Sequence, residues 1–200
     1  TKTVPLKMVL GEGTHTIPLR EEDSSHKTVN VRFSVSIVGQ GIDKTTINGG
    51  GFLIKGQKQD HVSLKKMKMM DHDKRVVAVH GSAGASFDME DMNIAGYNTG
   101  VRSTSTRGTM HKVEVLGCLN GLTCGDGGIL TSSGACSIHH NDWYGMSIDA
   151  NGTINLVQPL TKETVSTNNG ANWGGDGKIC IVDNGNKIVR VQWDNGREPI

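Results

Sequence analysis

The sequence predicts an all-β fold: a single right-handed parallel β-helix with short coils of about 24 residues and a C-terminal hairpin or cap. Three observations predict it. The local apolar patterns alternate with period two, run short, and are divided by Gly, Asn, Asp and Ser, as brief strands are. No segment carries a long amphipathic helical pattern. One apolar template also recurs along the chain at a spacing near 24 residues.

The template is apolar, any, apolar, two outward residues, apolar, any, apolar. It reads Val62, Leu64, Met67, Met69 in one copy and Phe87, Met89, Met92, Ile94 in the next. A third copy has Gly108, Met110, Val113 and Val115, and a fourth is read as Cys136, Ile138, Asn141 and Trp143. Upstream, Val35 and Ile37 fill the first two places of an earlier copy. A companion strand follows each copy, with an inward place expected at Ile54, Val79, Ser103, Cys124 and Ile148. Two series with one period imply stacked coils about 4.8 Å apart, like residue on like. The two outward residues inside the template mark a corner.

Taken in order, "VLGEGTHTI" (9–17) opens the ladder and "FSVSIVG" continues it. "GQGIDKTTINGGGFLIKG" (39–56) invites a phosphate-loop reading, but it lacks the third glycine of GxGxxG and the GKS or GKT of a P-loop, and no helix follows. Its glycines fit sharp turns between strands, where positive φ costs little. "HVSLKKMKM", "SFDMEDMNI", "KVEVLG" and "CSIHHNDWYG" supply the middle coils, so residues 1–157 read as the coil region. Residues 158–200 read as a cap of the same domain. There, "QPLTKETVSTNNGANWGGDG" (158–177) is a polar crossing loop, and "KICIVDNGNKIVRVQWD" is a hairpin around Asp183-Asn184-Gly185-Asn186.

"VSIVGQGIDKTTINGGGFLI" resembles the opening coils of the pectin-lyase-like superfamily, "VLGEGTHTI" the strand before them, and "CSIHHNDWYGMSI" the general parallel β-helix repeat, with Asn141 and Gly145 at familiar places. The likeness covers roughly residues 4–157. It implies the fold and leaves function open, because the superfamily holds polysaccharide lyases, glycoside hydrolases, epimerases, phage tailspikes and non-catalytic modules.

The repeat alignment sets outward residues in columns: Lys65, Glu90, His111, His139; Lys66, Asp91, Lys112, His140; and Lys68, Asn93, Glu114, Asp142. If the protein is an enzyme, these columns suit a polysaccharide lyase or glycoside hydrolase. Asp88, Asp91, Glu114 and Asp142 could hold Ca²⁺ through oxygen ligands, with Asp88 and Asp142 as metal ligands. Lys66, Lys112, His111 or His140 could take the proton from a uronate carbon, or two carboxylates could act as acid and base on a glycosidic bond. The catalytic candidates are Asp91, Glu114, His140 and Lys66; the substrate-binding candidates are His111, His139 and Trp173, an exposed ring able to stack on a sugar. Against this stands the alternating sign of Lys66–Asp91–Lys112, which an in-register ladder favours on its own account. The Asp-Asp pair and Gly-His-Gly of polygalacturonase-like hydrolases are missing, as is the columnar Arg of pectate-lyase-like enzymes. His139 and His140, adjacent on a strand, are expected to point apart unless the corner turns both outward, and Trp143 is expected to pack inward.

Composition bounds the rest. Glycine supplies 27 residues and aromatics only 4%, so the core is built from small and medium side chains. A net charge of +1 without a basic stripe argues against a nucleic-acid partner. No apolar run reaches the ~20 residues of a membrane span. Four cysteines leave one bridge among Cys118, Cys124 and Cys136 open, beside reduced core thiols. The chain begins at Thr1 without a signal-like segment, as a processed form or an excised domain would. The expected partner is an acidic polysaccharide outside the cell, with oligomers possible through the faces or ends of the helix. The rival expectation is a non-catalytic structural or interaction domain.

Overall fold

The structure, a computed structural model, describes residues 6–17, 28–149, 151–185 and 187–193. It is a parallel β-solenoid with three faces. Strands β1 (Leu6–Val9), β2 (Gly13–Thr16) and β3 (Thr28–Val31) form one coil, and β4 (Val35–Val38), β5 (Thr45–Asn48) and β6 (Gly51–Lys55) the next. Then come β7 (His61–Met70) with β8 (Val77–Ser82), β9 (Ser86–Ala95) with β10 (Thr99–Thr104), and β11 (Arg107–Leu116) with β12 (Asn120–Gly125). The coil after these has β13 (Ile129–Ser133), β14 (Ser137–His139) and β15 (Tyr144–Ile148). The last complete coil has β16 (Thr153–Val157), helix α1 (Lys162–Val165), β17 (Ser166–Thr167) and β18 (Ala171–Gly175). Strand β19 (Lys178–Val182) stacks on β16 and returns as β20 (Ile188–Trp193), antiparallel, which makes the hairpin expected at this end.

All other pairings are parallel, each strand to its equivalent in neighbouring coils. Strands β7, β9 and β11 are long because each runs across two faces. Their bend is a single left-handed residue in each coil: Lys66, Asp91 and Lys112, at φ of 56°, 51° and 53°. Such residues reverse the alternation, and so two consecutive side chains point outward, as the template requires. A second corner stacks Gly96, Gly117, His140 and Asn168, all at positive φ. In the glycine-rich opening stretch, Gly49 and Gly50 carry φ of 69° and 54° between β5 and β6. That stretch turns a corner.

The core follows the template. Leu64 stacks on Met89 and Met89 on Met110; Met67 stacks on Met92 and Met92 on Val113. All are buried. Each such side chain removed from water contributes about 1.5–3 kcal/mol. Phe87 fills a space that two glycines leave: a methyl on Gly81 or Gly108 would overlap its ring. The four cysteines are buried free thiols, and burial pushes Cys118 and Cys124 up to about 11.

Several expectations are corrected. The fourth template copy is out of register: Ser132 lies opposite Met110, and Ile138 lies opposite Val115. This coil has an extra residue at the corner, between His111↔Ser133 and Glu114↔Ser137. Trp143 is therefore outside, 58% exposed. In the companion series Gly81, not Val79, faces Ile54 and Ser103. Residues 158–177 are not simply a crossing loop, since they contribute α1, β17 and β18 to another coil.

Candidate functional site

Where the residues sit follows from the register. Lys66, Asp91, Lys112 and Glu114 line a shallow groove of ≈ 400 Å³ along the first corner, together with Asn93 and Ile42. Three of the four catalytic candidates therefore meet, but the two carboxylates among them are engaged. Asp91 lies 4.0 Å from Lys112 Nζ. Glu114 takes His139 Nε2 at 3.0 Å and the Asn93 amide on its other oxygen. His140 is not in the groove. Corrected for register, the His111 column continues to Ser133 and the Glu114 column to Ser137, so His139, His140 and Asp142 leave the columns assigned to them.

The two adjacent histidines meet rather than part. His140 is left-handed at the second corner, which brings its Nδ1 to 2.7 Å from Nδ1 of His139, the rings at 84°. His111 Nδ1 is 3.1 Å from Ser133 Oγ. Asp88 accepts from Ser63 Oγ at 2.9 Å, contacts His61 Nε2, and has Lys65 Nζ at 3.6 Å. Asp142 is elsewhere, paired with Lys74 at 2.6 Å. The four carboxylates do not converge, and among the described residues no three His, Cys, Asp or Glu side chains gather as a metal site. Lys65 bonds Glu90 at 2.8 Å; this contact holds the Glu90 carboxyl below and the Lys65 ammonium above their usual values. Trp173 packs partly against the core, with Lys162 Nζ 4.4 Å from its ring, so it is not a free sugar platform. Asn141 is one of the buried polar residues of this region. Its Oδ1 accepts from the Cys118 amide at 3.0 Å, and its Nδ2 donates to Asn169 at 2.8 Å.

The third face carries a different site. Lys55 from β6, Arg75 before β8, His80 from β8 and Arg102 from β10 surround a hollow of ≈ 310 Å³, floored by Leu53, Val76 and Val77. Leu53, His80 and Arg102 are register partners on consecutive coils. No carboxylate among the described residues lines the hollow. Arg102 Nε is buried without a hydrogen-bond partner. His80 Nε2 is 3.3 Å from Thr104 Oγ1. Burial, then the charges of Arg102 and Lys55, depress the His80 imidazole from 6.5 to about 4. A cluster of one sign with a buried, partnerless guanidinium nitrogen is suited to an anion.

Sequence reasoning missed this cluster because it tabulated only the columns of β7, β9 and β11. The signal was present: His80 and Arg102 follow Lys55 at nearly the coil period. Among the described residues no helix is long and apolar enough to cross a membrane. Comparison with protein-family models, curated proteins and solved structures gives no match.

Proposed function

We propose that this β-solenoid binds an acidic polysaccharide on its third face, without cleaving it. The observation that carries the reading is the Lys55–Arg75–His80–Arg102 hollow, which holds three cations and is free of carboxylates among the described residues. A carboxylate or sulfate of the glycan would give Arg102 the acceptor it lacks. The non-catalytic part of the reading rests on the first two faces. The carboxylates expected to do chemistry there are each held by a cation, a histidine or an amide. The likeness of the early coils to the pectin-lyase-like superfamily fits a glycan ligand and demands no particular reaction.

The test is calorimetric titration with polygalacturonate, a sulfated glycan and a neutral dextran, with and without Ca²⁺. Ultraviolet absorbance of an unsaturated uronyl product and release of reducing ends are followed in parallel. Binding to the acidic glycans alone is expected, weakening with salt and falling about tenfold in Arg102→Gln, the loss of one charge-assisted hydrogen bond. Rising absorbance would make the protein a lyase and return attention to Lys66, Asp91, Glu114 and His140. Equal affinity for dextran would remove the hollow as the binding site.

A further inference from the structure

We infer that the hollow on the third face is a proton-coupled anion site, in which His80 takes up a proton as the anion binds. The inference rests on the glycan-binding reading of this hollow and adds how that site is regulated. Two cationic groups act on His80, Lys55 on β6 and Arg102 on β10, and a third, Arg75 on the approach to β8, lines the same hollow. Among the described residues no acidic group faces it. Its polar neighbour is the Thr104 hydroxyl at 3.3 Å, which can donate to a neutral imidazole or accept from a protonated one.

Empty, the hollow opposes a fourth positive charge. Burial and the two nearest cations act in the same direction and hold the ring neutral well below its usual range. An anion seated among Lys55, Arg75 and Arg102 reverses the local field. The ring then has a negative partner at close range and gains a proton from solvent, which adds one more cationic donor to the site. By linkage the effect is reciprocal: whatever raises the proton affinity of His80 on anion binding raises anion affinity on protonation by the same factor. The site therefore holds its ligand more tightly in acid.

Inorganic sulfate is a suitable probe because it stays fully ionised over the range of interest, so any pH dependence belongs to the protein. Sulfate is titrated calorimetrically at pH 5.0 and 7.5, with chloride holding ionic strength constant. Buffers of different ionisation heat report proton uptake, and the His80 imidazole is followed by NMR. The expected result is about tenfold tighter binding at pH 5.0, which corresponds to the anion raising the His80 imidazole from about 4 by about two pKa units, with net proton uptake and an upward shift of the His80 titration when sulfate is present. In His80→Gln the ratio of the two affinities is expected to fall to about one, whatever the level of either. Sulfate bound equally at both pH values, or a gain that persists in His80→Gln, overturns the coupling and leaves the glycan-binding reading standing. Absence of sulfate binding at either pH overturns both.

Discussion

His80 also links the fold to pH. Its imidazole titrates near 4 in the folded chain against an ordinary 6.5. Between those values the unfolded chain binds more protons, so stability rises with pH there. The contribution of the neutral ring is complete above about pH 6.5 and is lost as pH falls toward 4. Thermal melting at pH 7.5 and 5.0 should show a drop in the native chain that is smaller in His80→Gln. An equal drop in both would assign the acid sensitivity to other groups. The corner residues make a second case. Asp91 sits at φ 51° on a bend, where its conformation matters more than its contact to Lys112 at 4.0 Å. Asp91→Asn should change stability by less than about 0.5 kcal/mol, since asparagine accepts the left-handed region and exposed substitutions are mild. Asp91→Val should cost about 1–2 kcal/mol, because a side chain branched at Cβ meets the following carbonyl there. Urea denaturation of the two variants separates these outcomes. Much of this was readable from the residues. The break in alternation located the corner, but nothing in a single strand announced that Lys66, Asp91 and Lys112 would be left-handed, because none is glycine or asparagine.

At the scale of the element, β9 and its neighbours show why some registers were legible and others were not. β7, β9 and β11 share an unbroken ten-residue pattern, and their pairing follows the template residue for residue. The next coil replaces that single strand with β13 and β14 and has one more residue at the bend. Cys136, Ile138 and Asn141 happen to imitate the template one face late, and the imitation carried His139, His140 and Asp142 into the wrong columns. Asn141 is buried, as an inward position requires, yet it serves the second corner by bonding the Cys118 amide and Asn169. Apolar periodicity alone cannot separate a buried asparagine that caps a turn from one in a face. The same limit applies to Gly81: the pattern preferred Val79 in its place, because a glycine that makes room for a ring leaves no apolar mark. Gly108→Ala tests that packing. The added methyl would overlap the Phe87 ring, and a loss of about 1–3 kcal/mol in urea denaturation is expected for overpacking of this kind. Unchanged stability would mean that the ring has other room.

For the whole molecule, stability depends on each coil covering the next. Met92 is buried between Met67 and Val113, at the centre of the stack. Met92→Lys should abolish cooperative folding, since it leaves an unpaired charge where no water reaches; circular dichroism and a melting curve would show it, and a well-folded variant would sink the register. The fold class itself was legible because repetition multiplies a weak local signal. The basic hollow was not, because its members come from three successive coils and meet only when those coils are stacked. The stack has one more consequence. Equivalent residues in neighbouring coils are 21 to 32 positions apart in the chain, yet only about 4.8 Å apart along the axis. The hydrogen bonds joining coils run along that axis, so tension between the two ends would load them rung by rung. Each coil that peeled away would release about 80 Å of slack, and a stretching experiment would record a sawtooth instead of a single rupture.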